Sequence, residues 1–320
     1  MNIYDYQGNS IIKGYADAQT GTQIHFNVSI NPNHPKNEWV DASGTLSVNA
    51  VLILPDTYSP GGDPTKLIFM HHGASGTVTD ATWYSSVANW PNFYNAYLNA
   101  GYAVFDVNGS GPYSAADEVY HRDHGCPNGI LAAHAAYEYI CKNYNVDKRI
   151  LVHGSSMGGS TAISFTKNFP NIVRAVGLFS PENLRGAAIS SYSYADGTAQ
   201  NFGYADQAAA AADGYAEMLC AALTVEHYNS SGQRQFHPFD YAWENDSTET
   251  HVAQFPAPVK FWHGTADTST DPQFSEAAVD AIRLGGGMAY YRPVSGAGHN
   301  ICTGSNSTVI NEAVLWFNRF

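Results

Sequence analysis

Short, unbroken apolar runs alternate with longer amphipathic stretches along most of the chain. LIFM (67–70), YAVFDV (102–107), RILV (149–152), RAVGLF (174–179) and VKFW (259–262) are too short for helices. They carry no polar alternation, which is the pattern of strands buried on both faces. TLSVNAVLILP (45–55) is a longer strand signal closed by Pro55, MAYYRPV (288–294) is a last short strand, and GTQIHFNVSI (21–30) alternates enough to read as another. Between the runs lie helical patterns. GILAAHAAYEYICKNY (129–144) sets Leu131, Ala135, Tyr139 and Ile140 roughly on one face, and MGGSTAISFTKNF (157–169) follows a strand directly. DPQFSEAAVDAIRLGGG (271–287) starts with acid residues and stops in glycine, and STVINEAVLWFNRF (307–320) is a terminal amphipathic helix.

Strands alternating with helices predict an α/β fold: a mostly parallel central sheet with helices on both faces. The polar residues 1–44 read as an N-terminal extension and residues 45–320 as one domain. Residues 181–255, rich in Ala, Tyr, Asp and Gly without a strand signal, read as an insertion between two sheet strands. Ligands of open parallel sheets bind at the carboxyl ends of the strands. An insertion at that edge is expected to act as a cap over a substrate cleft.

Composition narrows the partners. Charged residues make up 13% of the chain, and 28 acidic against 15 basic side chains give a formal charge of −13. Such a surface repels phosphate backbones and anionic lipid, so neither nucleic acid nor a membrane is an expected partner. There is no unbroken apolar stretch of the ~18 residues a spanning helix requires. The opening MNIYDYQGNSIIKG lacks the charged-then-apolar pattern of a signal peptide. Low charge, 21 Tyr and abundant Asn also suit an extracellular protein. Cys126, Cys141, Cys220 and Cys302 form no C-x-x-C pair, so a structural zinc site is not expected. If they form two disulfides, three connectivities are open.

The chemistry concentrates in ILVHGSSMGGS (150–160), where an apolar strand runs into Gly154-Ser155-Ser156-Met157-Gly158. This is G-x-S-x-G, in which a serine on a sharp strand-to-helix turn presents its oxygen to substrate. The pattern alone is weak, because about 0.2 matches are expected by chance at these Gly and Ser frequencies. Here a strand precedes Ser156 and a helix follows, which is the context the motif requires. The helix start also supplies the Met157 N–H, aimed where an oxyanion would form.

A serine hydroxyl needs a neighbouring base, and in the order serine–acid–histidine the base lies downstream. His299, in the small-residue loop SGAGHN after the last strand, is the candidate. The acid that orients it is Asp267 in WHGTADT, after the strand VKFW; Asp271 follows the same strand but precedes Pro272 and suits a helix cap. Other polar groups gather at strand ends. His71, His72, His153 and His263 each lie near a glycine, and Asp106 and Glu182 close two strands, where a cap or ion pair is as reasonable as a substrate contact. A metal could be imagined at these histidines or at His121, Asp123 and His124, but they lack ligand spacing, and no metal or cofactor is expected. Trp83, Tyr84, Trp90, Phe93 and Tyr94 suit either an acyl or sugar pocket or the core.

Over about residues 45–320 the chain resembles the α/β-hydrolase family, in its esterase and prolyl-oligopeptidase-like branch. The carriers are HHGASG (71–76), GYAVFDVNGSG (101–111), VHGSSMGG (152–159), WHGTADT (262–268) and GAGHN (296–300), in the family's order. The resemblance implies Ser156 as nucleophile, Asp267 as acid and His299 as base. It implies an oxyanion hole from the N–H of Met157 and one from the loop after His72-Gly73, with Ala74 as first choice. Ala74 and Ser75 stand where the glycine-rich form of that loop has glycines. The faint resemblance of the first residues is to modules of phage or surface proteins. The expected activity is a serine carboxylic-ester hydrolase on small-molecule or polymer-linked esters, with acyl or aromatic esters of polysaccharides favoured by the Tyr- and Trp-rich chain. A peptidase of the same fold would be expected to carry a large extra domain, which 44 residues are too few to build. A binding module with an idle hydrolase fold would have no need of all three residues.

Overall fold

The structure, a computed structural model, describes residues 2–4, 10–12, 21–30, 45–73, 78, 91–108, 125, 127–182, 255–301 and 307–320. A two-stranded antiparallel pair, β1 (Asn2–Tyr4) and β2 (Ser10–Ile12), precedes the main sheet. That sheet has eight strands: β3 (Thr22–Ile30), β4 (Leu46–Leu54), β5 (Leu67–His71), β6 (Ala103–Val107), β7 (Ile150–Ser155), β8 (Val173–Phe179), β9 (Val259–Gly264) and β10 (Ala289–Val294). Its spatial order is β10-β9-β8-β7-β5-β6-β4-β3. β4 runs antiparallel to both neighbours, and every other pairing in the sheet is parallel.

Among the described residues the α-helices are α1 (Pro91–Asn99), α2 (Pro127–Asn143), α3 (Met157–Asn168), α4 (Pro272–Leu284) and α5 (Ser307–Phe317). Strand residues sort by alternation into two layers of core. Phe69, Phe105, Val152, Val176, Leu178 and Phe261 face one side, with Ala133 and Ile140 of α2, Ile163 and Phe165 of α3, and Ile282 of α4. Ile68, Met70, Val104, Leu151, Phe179 and Trp262 face the other, with Phe93, Tyr94 and Tyr97 of α1 and Val314 and Phe317 of α5. Both faces of the central strands are therefore dry, which is why β5, β6 and β7 show no polar alternation.

β3 lies in the segment read as an extension, yet it pairs with β4 along its whole length, from Thr22↔Leu54 to Ile30↔Leu46. It is the edge strand of the main sheet. α1 has no counterpart in the sequence reading. PNFYNAYLN buries Phe93, Tyr94, Ala96 and Tyr97 completely, so it lacks the polar stripe that marks a surface helix. Phe93 and Tyr94 are core; Trp83, Tyr84 and Trp90 lie outside the described residues. So do residues 183–254, nearly the whole expected cap. Cys141 is a free thiol, and the other three cysteines are also outside the described residues. Among the described residues no helix is long and apolar enough to cross a membrane.

The topology places a crevice. From β5 the chain winds to β6 on one side and then to β7, β8, β9 and β10 on the other. The direction of winding reverses between β5 and β7, and ligands of open α/β sheets sit outside the carboxyl ends of strands at such a switch point. His71 ends β5 and Ser155 ends β7, so the Gly-Ser turn stands at that crevice.

Candidate active site

Ser156 is the single residue between β7 and α3, with φ 51° and ψ −124°. Positive φ is uncommon for a residue with a Cβ, and holding one there costs about 1–3 kcal/mol. The surroundings enforce it. The Ser156 carbonyl accepts from Gly159 N at 2.8 Å and from Glu182 N at 2.7 Å, while Ser156 N donates to Phe179 O at 3.2 Å. Ser160 Oγ donates to the Glu182 carbonyl at 2.7 Å, and Pro181 packs where Gly159 has no side chain. The chain just past β8 thus straps the turn in place. Ser180, which opens this strap, has φ 40° and donates its N–H to Trp262 O at 2.8 Å.

Close approach decides the glycines. A Cβ on Gly158 would stand 2.5 Å from the His71 carbonyl oxygen and 2.6 Å from that of His72. The first turn of α3 therefore rests directly on the end of β5. This is the packing the G-x-S-x-G pattern anticipates: glycine lets the helix start lie against the neighbouring strand.

The Ser156 hydroxyl faces the end of β10. Ser156 Oγ lies 2.8 Å from His299 Nε2, and His299 Nδ1 lies 2.8 Å from Asp267 Oδ2. With a carboxylate as its only possible role there, Asp267 accepts from Nδ1–H, which leaves Nε2 as acceptor for the serine proton. Ser156 and His299 are partly exposed and the Asp267 side chain is buried. The three residues singled out in the sequence are brought together across three strand ends. Asp271 is not among them: it caps α4, accepting from Gln273 N at 2.9 Å. Ser155 is buried, with its Oγ 3.4 Å from His153 Nε2. Met157 is fully buried as the first residue of α3, and Ala74 lies outside the described residues.

Asp267 is unusually well held. Oδ1 accepts from Ser269 N at 2.8 Å and Thr270 N at 3.0 Å, and Oδ2 accepts from Thr270 Oγ1 at 3.0 Å. His263 Nε2 stands 3.1 Å from the same Oδ2, on a ring whose Nδ1 meets Ser275 Oγ at 2.7 Å. Burial pushes this carboxyl up, but the hydrogen bonds from His263, His299 and the Thr270 backbone outweigh it and hold it well below the usual carboxylate range. Its charge is secure at any pH where an imidazole can act as a base.

His71, His72 and His153 are buried in the interior. Asp106 bridges His71 Nδ1 (3.0 Å) and His72 Nδ1 (2.7 Å), and its Oδ1 also accepts from Val107 N at 2.8 Å. Burial raises this carboxyl too, yet the charge of His72 and the two histidine hydrogen bonds keep it below its ordinary value. The ligand atoms of His71, His72 and Asp106 lie within 4.8 Å of one another, a grouping that could hold a metal ion. Both Nδ1 atoms are already accounted for as donors to the carboxylate. His153 meets Tyr97 Oη at 2.8 Å and stacks on Phe179, and burial pushes its imidazole down to about 3. The cluster His121, Asp123 and His124 lies outside the described residues. Sequence reading missed the pairing of His263 with Asp267 and the double bridge of Asp106. The only signal for the first was the four-residue spacing inside WHGTAD.

No family model matches the chain. Solved structures resemble it at the level of fold. A puromycin-hydrolyzing peptidase of Mycobacterium tuberculosis aligns with a TM-score of 0.56 at 17% identity, over 90% of this chain and 37% of that one. An acylaminoacyl peptidase of Pyrococcus horikoshii aligns with a TM-score of 0.59 at 14% identity, over 94% and 41%. Est1E from Butyrivibrio proteoclasticus, in a structure with ferulic acid bound, aligns with a TM-score of 0.56 at 18% identity, over 88% of this chain and 97% of that one. The chain thus spans about two-fifths of the peptidases and almost all of Est1E. With this sheet order, the strand-to-helix turn at Ser156 and these likenesses, the chain has the α/β-hydrolase fold.

Proposed function

We propose that the chain is a serine hydrolase of carboxylic esters, working through an acyl-enzyme at Ser156. The observation that carries this reading is the unbroken hydrogen-bonded series Ser156 Oγ–His299 Nε2 and His299 Nδ1–Asp267 Oδ2, each link 2.8 Å, starting from a strained turn. Ser156 Oγ attacks the ester carbonyl carbon as its proton passes to His299 Nε2. Asp267 holds the ring by Nδ1–H and stabilises the imidazolium that forms. The carbonyl oxygen gathers negative charge opposite the first turn of α3, where the Met157 N–H is free of intrahelical duty; the Ala74 N–H would be its partner. The tetrahedral intermediate collapses as Nε2–H protonates the departing alcohol. Water, deprotonated by the same nitrogen, then releases the acid and restores Ser156.

Est1E, which the chain matches along nearly its whole length, has ferulic acid bound in one of its structures. That likeness, with 21 Tyr and 6 Trp in the sequence, supports an aromatic acyl ester, free or linked to a polysaccharide, as the substrate. The peptidases among the similar structures make peptide bonds the competing substrate. A panel of p-nitrophenyl esters and feruloyl esters, assayed beside peptide anilides, decides between them. Turnover of esters with anilides inert is expected. The reverse preference would overturn the ester reading while leaving the Ser156 chemistry standing.

A further inference from the structure

Asp267 Oδ2 is crowded. Besides His299 Nδ1 at 2.8 Å it meets Thr270 Oγ1 at 3.0 Å and His263 Nε2 at 3.1 Å. The His263 ring is fully buried and oriented from its far side. Its Nδ1 meets Ser275 Oγ on α4 at 2.7 Å, and its Nε2 also points at the Thr270 carbonyl at 3.0 Å. The two nearest groups at Nε2, a carboxylate and a carbonyl, only accept, so Nε2 carries a proton and donates. Thr270 Oγ1 lies 3.0 Å from Oδ2, and 3.2 Å from His263 Nε2, 3.3 Å from His299 Nδ1 and 3.4 Å from the Ser180 carbonyl. A carboxylate oxygen with three donors offers each of them less charge than an oxygen with one.

We propose that His263 and Thr270 are positioning residues that share the Asp267 oxygen with His299, and so limit how strongly His299 holds the proton it takes from Ser156. This rests on the reading of Ser156 as the nucleophile. A general base works best when its proton affinity lies near the working pH, and an imidazole that faces a less shared carboxylate holds its proton to higher pH. Among the described residues, the titratable side chains in hydrogen-bond contact with Asp267 are His263, from β9, and His299, from the loop after β10. Thr270 and Ser275 supply the neutral contacts, from the loop before α4 and from α4 itself. Removing a competing donor concentrates the carboxylate on His299 and moves its protonation to higher pH.

The test uses Thr270→Val, which deletes a hydroxyl at nearly constant volume, with His263→Leu and His263→Gln; glutamine keeps an N–H donor. The acid limb of kcat/KM is recorded for ester hydrolysis. The ring of His299 is titrated by nitrogen NMR in the Ser156→Ala background, which needs no turnover. Upward displacement of the midpoint by about 0.5–1 unit in Thr270→Val and His263→Leu is expected, with a smaller displacement in His263→Gln. If His263→Leu does not fold, Thr270→Val decides alone. Midpoints within 0.2 unit of wild type in the folded variants, whatever happens to kcat, would overturn the proposal and reduce both residues to scaffolding. Failure of the serine reading looks different: the NMR midpoints would still move, but the rate profile would not follow His299.

Discussion

Replacing Gly158 by alanine tests how the fold builds the turn. The added Cβ would stand 2.5 and 2.6 Å from two backbone carbonyl oxygens, those of His71 and His72. It is roughly 0.8–0.9 Å short of ordinary contact, and backbone on β5 cannot swing aside as a side chain tip would. Either α3 lifts from the sheet or the end of β5 retreats. Overpacking of this kind costs about 1–3 kcal/mol, which for a chain of this size lowers Tm by roughly 1.5–4.5 °C. The functional cost is larger. Ser156 and the Met157 N–H sit at the start of the displaced helix, and misplacing reacting groups by about 1 Å costs on the order of 10²-fold in rate. Thermal melting and ester kcat/KM, measured on Gly158→Ala beside Gly61→Ala, provide the assay. Among the described residues nothing lies within 4 Å of a Cβ added at Gly61, so that variant is expected to match wild type in both. Gly158→Ala with unchanged Tm and unchanged kcat/KM would refute the close-packed turn.

Two further outcomes follow from the buried polar groups. Asp267→Asn keeps the shape of the acid but not its charge and is expected to lower kcat by about 10⁴, whereas Asp271→Asn should leave both kcat and stability near wild type, because asparagine caps a helix about as well as aspartate. His153 is held neutral by burial, its imidazole pushed down to about 3, while in the unfolded chain it titrates at about 6.5. Above that pH both states are neutral and the residue contributes nothing to pH dependence. Between about 6.5 and 3 the unfolded chain binds the extra proton, so stability falls with falling pH by about 1.4 kcal/mol per unit. Urea titrations across that window should show a slope shallower by one proton in His153→Gln; an identical slope would mean that the native imidazole charges freely.

How much of this was legible in the sequence varies with how local the cause is. The strands β5 to β9 were readable because burial on both faces leaves an unmistakable apolar run, and Ser156 because its turn needs glycines at fixed spacing. His299 and Asp267 could be placed since each falls in a loop directly after a strand, and chain order constrains the rest. α1 was hidden by the completeness of its burial, which erases the polar face that periodicity detects. The assignment of β3 to the main sheet depends on pairing with β4, and its own alternation is the same whether it caps a domain or extends one. The bridges of Asp106 to two histidines join side chains from the ends of different strands, which no local pattern reports, whereas that of His263 to Asp267 had the four-residue spacing inside WHGTAD as its one local signal.

The central claim is that Ser156, made nucleophilic by His299, carries the covalent step. A fluorophosphonate probe reports this directly, because it phosphonylates only a serine that has been activated. Intact mass and peptide mapping of the treated protein should show one adduct, on Ser156. Labelling should vanish in Ser156→Ala and slow by orders of magnitude in His299→Gln, with both variants folded. An adduct on Ser155 or elsewhere, or undiminished labelling of Ser156 without His299, would contradict the account.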